Sequence, residues 1–349
     1  MPSLNSAFIA ALCLPLIKLA EAQIFTVSCQ PLSVHRGDPI VSPGQISAHV
    51  HAIIGGTGFQ QTMGLDTAVN ARGTTCDKKI DKSNYWQPQL YHLNHDGKFE
   101  IVQFEGSALY YLNRACDYEP GKVHCPPGFE AKPPPAGLRM VTGNPMRRTF
   151  DQSRFDHIAI RHICLNDDGS PGDSYHLPTK PCQRMRAETY FPSCWDGKNL
   201  DSPNHSSHMA YPQTGSYDTG MCPESHPIAI FSVFMEFFYD TKVFNNRFNK
   251  WVYAMGDLTG YGLHGDFING WDQHALETAI ATCSGPDGFF SPNCSINKDT
   301  GSAQAMDPEI APPSEEVGFS GPLSQLPGNN PITMASMSMR SRVARNIQL

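Results

Sequence analysis

Ten cysteines follow an apolar leader, and that even number constrains the fold of this 349-residue chain more than any other feature. An eleventh, Cys13, lies inside the leader. The apolar run from Ala7 to Leu16 is too short to span a bilayer, and Ala20-Glu21-Ala22 has the small-residue pattern of a cleavage site. The expectation is a signal peptide over 1–22, with the mature chain starting at Gln23. In an oxidising compartment Cys29, Cys76, Cys116, Cys125, Cys164, Cys182, Cys194, Cys222, Cys283 and Cys294 would close five disulfides of open connectivity. No two are spaced Cys-x-x-Cys, so neither a zinc ribbon nor a thioredoxin-type site has support. The sequons Asn204-His205-Ser206 and Asn293-Cys294-Ser295 fit a secreted glycoprotein, extracellular or in the cell wall.

From Gln23 to Cys294, aromatic and β-branched segments alternate with clusters rich in Gly, Pro, Asn and Asp, and sustained helical periodicity is rare. The pattern reads as an all-β fold: a jelly-roll-like antiparallel β-sandwich with long disulfide-stapled loops and few short helices. Strands are expected at Ala48 to Ile54, Phe99 to Phe104, Phe155 to Cys164, Pro227 to Tyr239 and Trp251 to Met255. One helix is expected from Trp271 to Cys283, where Leu276, Ile280 and Cys283 recur at helical spacing and Gly285 supplies a stop. Residues 23–298 read as a single domain. Residues 299–349 lose cysteines and nearly all aromatics, and read as a disordered tail in which Arg340, Arg342 and Arg345 are solvated. A net charge of −7 without a basic cluster speaks against nucleic-acid binding. No second apolar run approaches the ~20 residues of a membrane span, and the expectation is a monomer free of membrane.

The segment Ile228 to Asp240 is the most informative strand. With period two, Ala229, Phe231, Val233, Met235, Phe237 and Tyr239 form an apolar face, which leaves Glu236 between Phe234 and Phe238 on the other. Desolvation there would raise the carboxyl pKa and suit a general acid, whereas a solvated face or an Arg partner would make the residue ordinary. Histidine is the second signal, with fourteen in the chain. His49 and His51 project to one side of a strand, His205 and His208 share a loop, and His264 sits among glycines. Together they are candidate ligands for a divalent metal, or a set of hydrogen-bonded structural imidazoles. The same loops hold Trp195, Asp196, Asp201, Tyr211, Tyr261 and Trp271, the mixture of flat rings and carboxylates that stacks on sugars and bonds their hydroxyls. No Gly-x-Ser-x-Gly elbow or P-loop is present.

The blocks His49-Val50-His51-Ala52-Ile53-Ile54-Gly55-Gly56, Tyr85-Trp86-Gln87-Pro88-Gln89-Leu90-Tyr91, Phe191-Pro192-Ser193-Cys194-Trp195-Asp196-Gly197, Ser202 to Pro212, Cys222-Pro223-Glu224-Ser225-His226-Pro227 and His264-Gly265-Asp266-Phe267 follow one another in an order that resembles the secreted fungal proteins grouped as domain of unknown function 1996. The resemblance covers about residues 23–294. It implies fungal origin, secretion and a single domain, in some members joined to wall-binding modules, of which this chain shows none.

Three functions fit these residues. The leading expectation is a carbohydrate-active enzyme whose partner is a cell-wall polysaccharide. As a glycoside hydrolase it would use Glu236 with Asp266 or Asp196 as acid and base or nucleophile; as a lyase it would use His264 and Tyr261 beside a uronate. Trp195, Tyr211, Tyr261 and Trp271 would bind the sugar. The second is a non-catalytic glycan-binding wall protein. The third is a metal-dependent redox or hydrolytic protein using His49, His51 and one of His205, His208 or His264.

Overall fold

The structure is a computed structural model that describes residues 23–167, 171–283 and 290–334. The expected signal peptide, Gly285 and the three tail arginines lie outside the described residues. The ten cysteines pair in five disulfides: Cys29–Cys76, Cys116–Cys125, Cys164–Cys182, Cys194–Cys222 and Cys283–Cys294.

Two antiparallel sheets carry the architecture. Their strands are β1 (Gln23–Cys29), β2 (Pro31–His35), β3 (His51–Gly55), β4 (Asn84–Pro88), β5 (Gln103–Leu112), β6 (Arg139–Gly143), β7 (Ile160–Leu165), β8 (Pro171–Ser174), β9 (Arg184–Tyr190), β10 (Ser232–Asp240) and β11 (His264–Ile268). One sheet has six strands in the order β1-β5-β10-β9-β7-β8, and the other has five in the order β2-β3-β4-β11-β6. Their inner faces share one core. Leu109 and Tyr111, Met185 and Ala187, and Val233, Met235, Phe237 and Tyr239 meet Ala52, Ile54, Tyr85, Met140 and Phe267 of the opposing sheet. Polar bonds cross the same interface, from Gln87 Nε2 to Thr189 Oγ1 at 3.1 Å and from the Tyr239 hydroxyl to the Pro88 carbonyl at 3.2 Å. The antiparallel sandwich is therefore as expected, and the apolar face read from the 228–240 segment does enter the core.

The outer face of the five-stranded sheet is also covered. Ile53, Trp86 and Ile268 lie beneath Ile40, Phe59, Met63 and Ala68, which come from the long loop between β2 and β3 and from the segment after β3. This second layer is what can enclose a site outside the sandwich core.

Several boundaries differ from the sequence pattern. Pro227 to Tyr239 splits, because Ile228–Ala229 pairs with Cys194–Trp195 while Ile230 and Phe231 bond to Ser193 and Lys132 before β10 begins. Phe155–Ile158 forms a helical turn instead of a strand, with Asp156 in its first turn paired to Arg147 and Arg154. The expected helix at 271–283 is two short ones, Gln273–Glu277 and Ala279–Cys283, the first capped by the Asp272 carboxylate.

Residues 299–334, expected to be disordered, run along the body. Lys79 N donates to the Asp299 carbonyl at 2.7 Å, Glu309 N to the Thr57 carbonyl at 2.8 Å, and Thr333 N to the Gly256 carbonyl at 2.8 Å. Val317 and Leu326 are buried against Val50, Tyr91 and Phe99. Composition reports only whether a segment can build its own core. This one uses backbone partners and apolar pockets supplied by the body.

Trp271 is completely buried, edge-on to Phe25, and its indole N–H donates to the Tyr111 hydroxyl at 2.8 Å. It is a core residue and presents no ring face to a sugar, which corrects the expectation of a binding platform. Trp271→Ala is expected to cost about 3–5 kcal/mol of stability, the usual range for emptying a buried aromatic site. Urea denaturation would measure it, and a loss below about 1 kcal/mol would contradict the core assignment.

Candidate functional site

Register brings the principal site together. β2 and β3 pair His35 with His51, and β3 and β4 pair His51 with Pro88. β4 and β11 pair Trp86 with Asp266, so two residues further along His264 falls opposite Pro88, while β6 sets Gly143 beside His264. His51 and His264 thus stand on the same outer face with one strand between them, about 10 Å apart at the backbone from two strand spacings. Their rings lean together over Pro88 until the two Nε2 atoms are 3.4 Å apart. His49 enters from the bend before β3 and places its Nε2 3.0 Å from that of His264. The three ligand atoms lie within 4.8 Å of one another, and all three residues are buried.

The ring protons decide what the three Nε2 atoms can offer. His51 Nδ1 lies 3.0 Å from the Gly37 carbonyl and His264 Nδ1 lies 2.9 Å from the Gly262 carbonyl. A carbonyl only accepts, so both Nδ1 atoms carry the hydrogen. Burial lowers the pKa of all three imidazoles, that of His264 to about 4, with the neighbouring rings lowering His49 and His51 further. A neutral imidazole has one N–H, so the Nε2 atoms of His51 and His264 both present lone pairs to the same point. His49 can donate to only one of them. A cation at that point satisfies all three, and carbonyls that fix the ring tautomer are the usual second layer of a metal site.

That second layer is built from residues the sequence did not single out. The Asp257 carboxylate accepts from Gly262 N at 2.7 Å and from Thr259 N at 2.8 Å, and lies 3.3 Å from Arg148 Nε. It thereby holds the turn whose carbonyl orients His264. A Cβ on Gly262 would sit 2.7 Å from Arg148 Nη1 and 2.9 Å from Asp257 Oδ2, so only glycine fits beneath the pair. The C-terminal segment reaches the same layer. Arg148 Nε donates to Thr333 Oγ1 at 2.7 Å, and Asn330 Nδ2 donates at 2.8 Å to the carbonyl of Ala48, the residue before His49. The glycines around His264 were visible in the sequence, but Arg148 and Thr333 carried no signal.

Asp266 projects from β11 on the same face as His264. Its Oδ2 is buried without a hydrogen-bond partner, and burial pushes its pKa well up, with nearby Asp38 adding to the shift. It is the one expected catalytic carboxylate that the fold places beside the histidines.

The remaining candidates lie elsewhere. His205 bonds Asp201 at 2.9 Å, and His208 uses both ring nitrogens, on the Arg139 carbonyl at 2.7 Å and on Ser202 Oγ at 3.0 Å. Neither joins the cluster, which corrects their reading as ligands alongside His49 and His51. Asp196 closes its own turn, accepting from Lys198 N and Asn199 N, and Trp195 donates its indole N–H to the Asn199 carbonyl. The Tyr211 hydroxyl donates to the Tyr190 carbonyl at 2.9 Å. Tyr261, half-buried, stacks on Phe150 at 5.6 Å and directly precedes Gly262.

Glu236 lies on the outer face of the six-stranded sheet, on the far side of the sandwich from the histidines. It does not meet Asp266 or Asp196. Its cross-strand partner is Glu188, and Arg186 bridges the two, with Nη2 2.5 Å from Glu188 and Nη1 3.2 Å from Glu236. The Tyr110 hydroxyl donates to Glu236 at 3.2 Å. Burial raises the Glu236 pKa to about 7; Arg186 opposes the shift and Glu188 reinforces it. Both readings of this residue were thus partly right: the carboxyl is desolvated, and it has an Arg partner.

Fold and site together define a disulfide-stapled antiparallel β-sandwich with a three-histidine cluster on one outer sheet face. Residues 38–271 match the family described as Domain of unknown function (DUF1996), and the chain belongs to that family. The matched span contains all three clustered histidines and Glu188, Glu236 and Asp266, and ends before the C-terminal segment. No curated protein and no solved structure matches the chain.

Because the Glu236 pKa rises from 4.5 to about 7 on folding, the native state binds the extra proton within that interval. Stability should therefore be greatest below about pH 4.5, fall as pH rises toward 7 and then level off for this group. Glu236→Gln should flatten that slope in urea denaturation series. An unchanged slope would show that Glu236 does not hold the proton.

Proposed function

We propose that this protein is an extracellular metalloenzyme acting on a cell-wall polysaccharide, with His49, His51 and His264 holding one divalent transition-metal ion. The observation that carries the reading is the convergence of three neutral imidazole Nε2 atoms, two of them with their tautomers fixed by the carbonyls of Gly37 and Gly262. Three imidazoles suit zinc, copper, iron or nickel, and three protein donors leave coordination positions open to substrate, as catalytic sites do. When bound, the ion would supply Lewis acidity toward a substrate oxygen. Asp266 would hold or deliver a proton from the same sheet face, and Arg148 and Asp257 would keep the His264 turn in place. Five disulfides support an extracellular setting, and among the described residues no helix is long and apolar enough to cross a membrane. The half-buried ring of Tyr261, three residues before His264, is compatible with a sugar polymer as substrate.

One observation favours a second reading. Glu236 keeps its proton to about pH 7 beside Glu188, and directly opposed residues on neighbouring strands lie about 5 Å apart at Cβ. With Arg186 touching both, the two carboxyl groups lie side by side, as the acid and nucleophile of a retaining glycosidase do. In this reading Glu236 is the acid, Glu188 the nucleophile, and no metal takes part.

Titration calorimetry of the chelator-treated protein with zinc is expected to show one bound equivalent. His264→Ala should weaken binding by more than about 100-fold, and Asp257→Asn, which disturbs only the supporting layer, by about 10–100-fold. Absence of stoichiometric binding for zinc, copper, nickel and iron alike would remove the metal reading.

Incubation with a panel of wall glucans, mannans, galactans and uronans, followed by mass spectrometry, tests the reaction. Chelator-sensitive release that is lost in His264→Ala and kept in Glu236→Gln is the expected result. Chelator-resistant release abolished by Glu236→Gln would establish the carboxylate reading, and no product from any polymer would favour a glycan-binding wall protein.

A further inference from the structure

His35 stands across from His51 in the register of β2 and β3, on the same sheet face, and takes no part in the histidine cluster. Beside it is a cavity of about 380 Å³. His35 and the run from Phe59 to Thr62 line one side, and residues 310–313 of the C-terminal segment line the other. Carboxylates pin both ends of that bridging segment. Glu309 accepts from Thr57 Oγ1 at 2.6 Å and pairs with Arg72 at 3.0 Å, and Glu315 pairs with Arg36 at 2.8 Å. Between the anchors Pro312 and Pro313 restrict the backbone. The cavity is thus a fixed space between the body, at the end of β2 and the 59–62 run, and the C-terminal segment.

The lining has a definite chemistry. It includes no Lys, Arg, Asp or Glu. His35 is only 7% exposed, and its Nδ1 has no hydrogen-bond partner. Gln60 and Gln61 are half-exposed and Thr62 is exposed, and amide and hydroxyl groups both donate and accept. Phe59 and the two prolines add apolar surface. A uronate or sulfated sugar would lose the ionic partner its charge requires, and so would an amine. A pyranose, with hydroxyls around its rim and C–H groups on its faces, is matched by amides, a hydroxyl, an imidazole and apolar walls. The volume lies at the small end of the range for ligand sites.

We propose that this cavity is a subsite for a neutral sugar residue of the polymer, one strand removed from the metal ligand His51. The inference rests on the reading of the protein as acting on a polysaccharide and narrows it to a neutral one.

The full-length protein would be titrated calorimetrically with neutral trimers of β-1,3-glucose, β-1,4-glucose, β-1,4-mannose and β-1,4-N-acetylglucosamine, and with trigalacturonate and a Gly-Ser peptide. At least one neutral trimer should bind, and the charged trimer and the peptide should not. The double variant Gln60→Ala/Gln61→Ala should weaken that binding by about tenfold or more, as expected when paired polar groups are removed. Thermal melts would confirm that it folds, with Thr62→Ala as a milder second variant. Zinc affinity of the double variant should be unchanged, and His264→Ala should still bind the trimer, so failure of the metal reading would leave this result intact. The proposal is overturned if no neutral trimer binds, if trigalacturonate or the peptide binds as tightly, or if both cavity variants keep full affinity.

Discussion

The position of β4 between β3 and β11 is the constraint on which the rest depends. Tyr85 points inward to the Tyr111 and Asp81 hydrogen bonds, Trp86 points outward beneath Phe59, and Pro88 forms the floor between His51 and His264. A strand changes faces at every residue, so a slip of one position would send Trp86 into the sandwich and remove the floor. Core packing and the histidine cluster are therefore set by the same register. The buried aromatic side chains that make the slip costly also hold the histidines in line.

The two outer faces of the sandwich bear different polar clusters, and both carry groups that burial makes expensive. On one, three imidazoles remain neutral and turn their lone pairs toward a common point. On the other, Arg186 offsets part of the cost of two adjacent carboxyls, and protonation of Glu236 relieves the rest. The sandwich core separates them. Their chemistry is independent, which is why single substitutions can assign a reaction to one face or the other.

The C-terminal segment links the site to regions far away in sequence. It contributes Asn330 against the His49 loop, Thr333 to Arg148 and one wall of the cavity beside His35. None of this was legible in its composition. The composition reads as a disordered tail, but the order of residues 299–334 comes from the donors, acceptors and apolar pockets of the body.

Sequence alone determined the sandwich class through alternating apolar residues, the closing of five disulfides through an even number of cysteines, Glu236 on the face opposite the core through the period of its strand, and His49 with His51 as neighbours through their spacing. Apart from the cysteine count, those are local properties, written in residues one or two positions apart. Tertiary structure alone decided that the third histidine is His264 rather than His205 or His208, that Glu236 faces Glu188 rather than Asp266, and that Trp271 is core. The reason is that each of these depends on which strands lie side by side and in what register, and hydrogen bonding between distant segments sets that register through the packing of the whole sheet.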